Sequence, residues 1–186
     1  MKQVFLDLET TGLSTHKNGI WQIAATFYFE NKLMSEFEST LRIFPGQQWD
    51  IECASMFSEE YNNQESSPEP DKVFADFTSW LKTYIDPFNK ADKALLYGYN
   101  IGFDEKFLRQ FFRNNNNKFF GSWFWTPSID VMTLAAEHLK EARDKMPNFK
   151  QGTVARTLGI EVDEAKLHNA LYDIQLTKNI YDIIRK

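Results

Sequence analysis

The chain opens on an apolar run, Val4-Phe5-Leu6, that passes into alternation at Asp7-Leu8-Glu9. Side chains two apart share a face of a strand, so Val4, Leu6 and Leu8 take one side and Phe5, Asp7 and Glu9 the other. Val4 to Leu8 therefore reads as a strand that turns into a loop at Thr10-Thr11-Gly12. Ile20 to Phe29 is a second apolar, β-rich run, with Asn31-Lys32 as the hairpin turn after it. Ser35 to Phe44 continues as a third strand, stopped by Pro45-Gly46. Three strands joined by short links predict an antiparallel meander.

The period then changes. Gln47 to Asp71 is the least regular stretch, and Asn62 to Pro70 reads as a polar loop. Val73, Phe77, Trp80, Leu81 and Tyr84 recur at helical spacing. Ala94 to Tyr99 is a short apolar strand. Phe103, Phe107 and Phe111 mark a helix that the Asn114–Asn117 tract ends. A further helix runs from about Asp130 to Arg143, with Pro127-Ser128 as start signals. Thr153 to Leu158 is a short helix closed by Gly159, and Ala170 to Ile184 is the last. No repeat or linker divides the chain, so residues 1–186 are expected to form one domain. Strands first, then strands alternating with helices, predict an α/β fold with a mixed sheet covered by helices.

Composition adds limits. With 186 residues the chain is long enough for a sizeable core. Aromatic residues reach 16%, more than enough to line a core and still supply stacking surfaces for bases. The net charge of −5 argues against a protein that coats nucleic acid through a broad basic surface. An enzyme that grips a few nucleotides at a metal site is still allowed, because a cation supplies the positive charge. Cys53 is the single cysteine, which excludes an internal disulfide and suits a reducing compartment. The N-terminus has no signal-peptide pattern, and no stretch approaches the roughly 20 apolar residues of a membrane span. A cytoplasmic protein is expected.

The candidate chemistry begins at Asp7 and Glu9, two carboxylates on one face of an otherwise apolar strand. Like charges about 4 Å apart repel by about 4 kcal/mol at an effective dielectric near 20. A divalent cation between them would remove that cost, and a solvated outer face is the plain alternative. Asp104 follows the strand Ala94–Tyr99 and opens a helix, where a carboxylate serves equally as a cap or as a ligand. His168 and Asp173 flank the start of the last helix. Five helical residues turn about 500°, so the two would not share a face if both were helical. His168 is thus placed in the preceding loop and Asp173 in the first turns. A satisfied structural histidine is the plain reading of His168, as it is for His16 and His138, and Asp173 alone reads as a first-turn helix charge.

Taken together, three motifs occur in order: Phe5-Leu-Asp-Leu-Glu-Thr-Thr-Gly12, Asn100-Ile-Gly-Phe-Asp104 and His168-Asn-Ala-Leu-Tyr-Asp173. The chain resembles the DEDDh exonucleases, the DnaQ-like family that includes the proofreading subunit of bacterial replicative polymerases. The likeness extends to Ile129-Asp-Val-Met-Thr-Leu-Ala135 and Leu158-Gly-Ile160 and covers nearly the whole chain. It implies a ribonuclease-H-like fold, with a five-stranded mixed sheet flanked by helices. It implies two Mg²⁺ or Mn²⁺ ions, with Asp7 bridging them and Glu9, Asp104 and Asp173 completing their shells. It implies His168 as general base and a nucleoside 5′-monophosphate released from the 3′ end. It places the backbone of Thr10 and Thr11, the side chain of Leu13, and Asn100 near the terminal nucleotide.

There are departures from the family pattern. Tyr99 stands where many members carry His, and Gln22 where an acidic residue is common. Ile51-Glu-Cys-Ala-Ser-Met-Phe57 keeps little of the usual His-Gly-Ile pattern near the substrate. The expected partner is a nucleic acid 3′ end, DNA ahead of RNA. Alternatives are an RNA-trimming or oligoribonuclease-type enzyme and, from another class, a non-catalytic nucleic-acid-binding module. A polymerase partner is a further alternative, although no polymerase-binding tail follows the last helix, which favours a free-standing enzyme.

Overall fold

A computed structural model describes residues 1–185. Strands β1 (Lys2–Thr10), β2 (Ile20–Phe29) and β3 (Lys32–Thr40) form the expected antiparallel meander. Strands β4 (Leu95–Gly98) and β5 (Ile129–Asp130) add in parallel on the other side of β1, giving the order β3-β2-β1-β4-β5. The result is the ribonuclease-H-like mixed sheet.

Both faces of the sheet are covered. Val4, Leu6 and Leu8 join Ile23 and Phe27 in one core, closed by helices α3 (Pro70–Lys82) and α4 (Ile101–Asn114) through Phe77, Leu81, Leu108 and Phe112. Phe5, Ala24 and Tyr97 join the opposite core with α5 (Val131–His138), α6 (Gln151–Thr157) and α7 (Ala170–Ile184). The alternation in β1 therefore sends its aliphatic side to α3 and α4. Asp7 and Glu9 follow Phe5 toward the face that carries α7.

Several boundaries differ from the sequence expectation. The hairpin turns at Glu30-Asn31, whose φ values of 50° and 64° give the left-handed pair that matches strand twist, and Lys32 already belongs to β3. β3 ends at Thr40 rather than at Phe44. It is the sheet edge, largely exposed, and its Lys32, Glu36 and Glu38 suit a strand with one open side. The irregular stretch holds two short helices, α1 (Ile51–Met56) and α2 (Ser58–Asn62), neither with a buried residue. A segment that buries nothing writes no apolar period, which is why it read as irregular. The expected loop Asn62–Pro70 contains a 3₁₀ turn at Gln64–Ser66 before Pro70 opens α3. The helix expected over Asp130–Arg143 is α5 as far as His138, then a 3₁₀ segment at Lys140–Lys145. Among the described residues, no helix is long and apolar enough to cross a membrane.

Candidate active site

The site forms where the C-terminal ends of β1 and β4 meet the first turns of α4 and α7. β1 carries Asp7 and Glu9 to this end on one face. Asp104 was expected as a possible cap of α4, but that position belongs to Asn100, held left-handed at φ 60°. Asp104 lies one turn further on, 5% exposed, and its Oδ1 accepts the Leu8 amide N–H at 3.1 Å. This bond fastens the second motif to the first, between residues 96 apart in the chain. Asp130 caps α5 by accepting from Met132, and the same oxygen accepts the Asn100 amide at 3.0 Å.

His168 lies in the loop before α7, as its spacing from Asp173 required, with φ at +67°. Its amide N–H donates to Asp173 Oδ2 at 3.1 Å, while Asn169 caps the helix by accepting from Tyr172. The left-handed turn at His168 thus lets one loop cap α7 and hold the Asp173 carboxylate. Asp173 is buried, and its other oxygen, Oδ1, has no hydrogen-bond partner. Glu9, His168 and Asp173 each bring one ligand atom within 4.8 Å of the others.

Charge at this end is one-sided. Burial, then the charges of Asp104, Glu9 and Asp173, push the Asp7 carboxyl well above the usual range. Burial, then Asp173, Asp104 and Glu60, push Glu9 up to about 8. Burial carries Asp104 to about 7 against the hydrogen bond from Leu8, and Asp173 to about 6 against its bond from His168. Four carboxylates raised by burial, two of them raised further by others of the four, with a buried oxygen left unpaired, are a costly arrangement unless positive charge joins them. Hard oxygen donors with one imidazole beside them suit a divalent cation.

A family model described as exonuclease, RNase T, matches residues 4–181. The chain belongs to the RNase T exonuclease family. Relatives of this RNase T-family chain include the PolC-type DNA polymerase III of Oceanobacillus iheyensis, 28% identical over 94% of the chain, and that of Bacillus cereus, 27% identical over 98%. The chain spans only 11–12% of those polymerases. Among solved structures, the zinc-bound complex of Escherichia coli exonuclease I with single-stranded DNA aligns with a TM-score of 0.77 at 16% identity. Exonuclease I in complex with a dT13 oligonucleotide aligns with a TM-score of 0.75, also at 16% identity. These alignments cover 99% and 100% of this chain and 40% and 41% of exonuclease I.

The loop residues divide. Thr11 is fully buried, its amide donating to Gly19 and its carbonyl accepting from Asp50, so its backbone is already engaged within the protein. The Thr10 hydroxyl donates to the Gly12 carbonyl. Leu13 is 83% exposed and free to meet a ligand. A Cβ at Gly12 would fall 2.2 Å from Asp50 Oδ2, so only glycine lets this loop pack against the segment leading to α1. The departures are absorbed locally. Tyr99 donates its hydroxyl to the Phe149 carbonyl at 2.7 Å, and Gln22, opposite Glu9 in the sheet register, donates to Glu38.

Sequence reasoning missed two neighbours of the site. Glu60 on α2 is near enough to act on Glu9. The Phe57 ring meets the His168 ring edge-on, centroids 6.5 Å apart. Both lie in the stretch without apolar period, so the sequence carried no signal for their placement.

Proposed function

We propose that residues 1–186 form one exonuclease domain that removes nucleoside 5′-monophosphates from the 3′ end of nucleic acid, with single-stranded DNA as the preferred substrate. The observation that carries this reading is the meeting of Asp7, Glu9, Asp104 and Asp173, all raised by burial and Asp7 and Glu9 raised further by their acidic neighbours, with His168 beside Glu9 and Asp173. Asp7, Glu9, Asp104 and Asp173 would hold two Mg²⁺ or Mn²⁺ ions. Such ions, when bound, draw charge from the scissile phosphate and stabilise the attacking and leaving oxygens.

The chain's own residues supply the rest. His168 is exposed on its loop, with its ring near Glu9 and Asp173, where its imidazole nitrogen takes the proton of the attacking water. Asp173 stays fixed by the His168 amide, so base and ligand are set by one loop. Leu13 supplies an apolar surface for the terminal base, and Thr10, Thr11 and Asn100 shape the loops on either side. The single-stranded DNA in the exonuclease I complexes supports DNA over RNA as the substrate.

The test uses linear DNA and RNA oligonucleotides labelled at either end, with Mg²⁺, Mn²⁺ or EDTA. Stepwise shortening of 5′-labelled DNA, release of mononucleotide from the 3′ label, and silence in EDTA are expected. A 3′-phosphate or a closed circle should resist. Cleavage of a circular single strand, or full activity in excess EDTA, would overturn the reading. The PolC-type relatives favour a second setting for the same chemistry, proofreading beside a polymerase, which co-purification with a polymerase subunit would test.

A further inference from the structure

The segment that carries α1 and α2 has no buried residue, yet one of its rings reaches the site. Phe57 stands at the junction of the two helices. On one side it packs on Trp21 of β2, centroids 5.0 Å apart, and Trp21 is itself 4% exposed and stacks on Trp49. On the other side its ring meets the His168 imidazole at an interplanar angle of 79°. His168 is otherwise exposed, in a loop whose backbone is fixed by Asp173 but whose side chain has no hydrogen bond among the described residues. An exposed imidazole on a fixed backbone samples several rotamers, and only some of them place its nitrogen near Glu9 and Asp173.

We infer that Phe57 is a positioning residue for His168: its ring, anchored on Trp21, holds the imidazole in the rotamer that faces Glu9 and Asp173. The inference rests on the reading of His168 as general base. Edge-to-face aromatic pairs sit at centroid distances of about 4.5–7 Å and bias orientation by enough to change a population about two- to tenfold. The α1–α2 segment thereby reaches the reaction through a side chain that need not touch substrate.

The experiment combines kinetics with nuclear magnetic resonance. Phe57→Leu keeps apolar contact with Trp21 and removes the ring, and Phe57→Tyr keeps the ring. On a single-stranded oligonucleotide, Phe57→Leu should lower kcat about two- to tenfold, leave KM and Mn²⁺ affinity unchanged, and be rescued by Phe57→Tyr. Added to His168→Ala, Phe57→Leu should cost nothing more, because the residue it positions is gone. Losses that multiply in the double variant would overturn the inference, and so would a raised KM with kcat intact, which marks a substrate contact. The chain has three histidines, so the His168 ring protons are assignable by comparison with His168→Ala. In the wild type they should carry a ring-current displacement that Phe57→Leu abolishes. If the wild type degrades no nucleic acid, the functional reading fails while this displacement still reports whether Phe57 holds the ring; its absence overturns the inference.

Discussion

Asp104→Asn separates the energetics of the fold from those of the site. Asp104 is 5% exposed, and burial raises its carboxyl from 3.8 to about 7. A raised acid pKa means that the folded state holds the proton more tightly than the unfolded state. Stability of the cation-free protein therefore falls as pH rises between those two values and stays low above them. Each pH unit is worth about 1.4 kcal/mol, so by pH 8 the ionised carboxylate costs the cation-free fold up to about 4 kcal/mol. Asparagine keeps an oxygen to accept the Leu8 amide and carries no charge. In EDTA, the variant should be more stable than the wild type by about 2–4 kcal/mol at pH 8, and by almost nothing at pH 4. For a chain of this size that is a rise in Tm of several degrees, read by differential scanning fluorimetry across pH. Saturating Mn²⁺ should narrow or reverse the gap, since a ligand at 100 times its Kd stabilises the protein that binds it by about 2.7 kcal/mol. Exonuclease activity should be lost in the same variant. If Asp104→Asn melts at or below the wild type at pH 8 in EDTA, the carboxylate is not under the strain that its burial implies.

Three further outcomes are expected. His168→Ala should slow turnover roughly 10²–10⁴-fold with Mn²⁺ affinity nearly intact by titration calorimetry, whereas Asp173→Ala should lose both. A His168→Ala enzyme with wild-type turnover at neutral pH removes the general-base assignment. Gly12→Ala should destabilise by about 1–3 kcal/mol in chemical denaturation, because the added methyl meets Asp50 and Asn18 and the loop must shift. Leu13→Ala should raise KM for oligonucleotides without moving Tm, since an 83% exposed side chain holds nothing else; a lower Tm would mark Leu13 as loop packing.

The layers of the fold were legible where one period dominated. β1 wrote both cores into its alternation, and Val73, Phe77 and Leu81 wrote the buried stripe of α3. The placement of His168 in a loop and Asp173 in a helix followed from their spacing alone, and the structure places them so. Long-range pairing was not legible. That Asp104 would accept from Leu8 rather than cap α4 depends on how β1 docks beside β4, and no local spacing encodes this. α1 and α2 stayed hidden because their segment is tied down by single rings, Phe57 on Trp21 and Tyr61 on Trp49, rather than through a face. β5 is two residues long and lay inside a stretch that read as the start of a helix.

The bond between Asp104 and the Leu8 amide has a temporal side. The acidic groups of the cleft come from positions 7, 9, 104 and 173, so the site is built from contacts distant in sequence, a kind that forms slowly. During synthesis the ribosome delivers Asp7 and Glu9 long before Asp173. The full set of carboxylates therefore exists only once α7 has been made and has packed against β1.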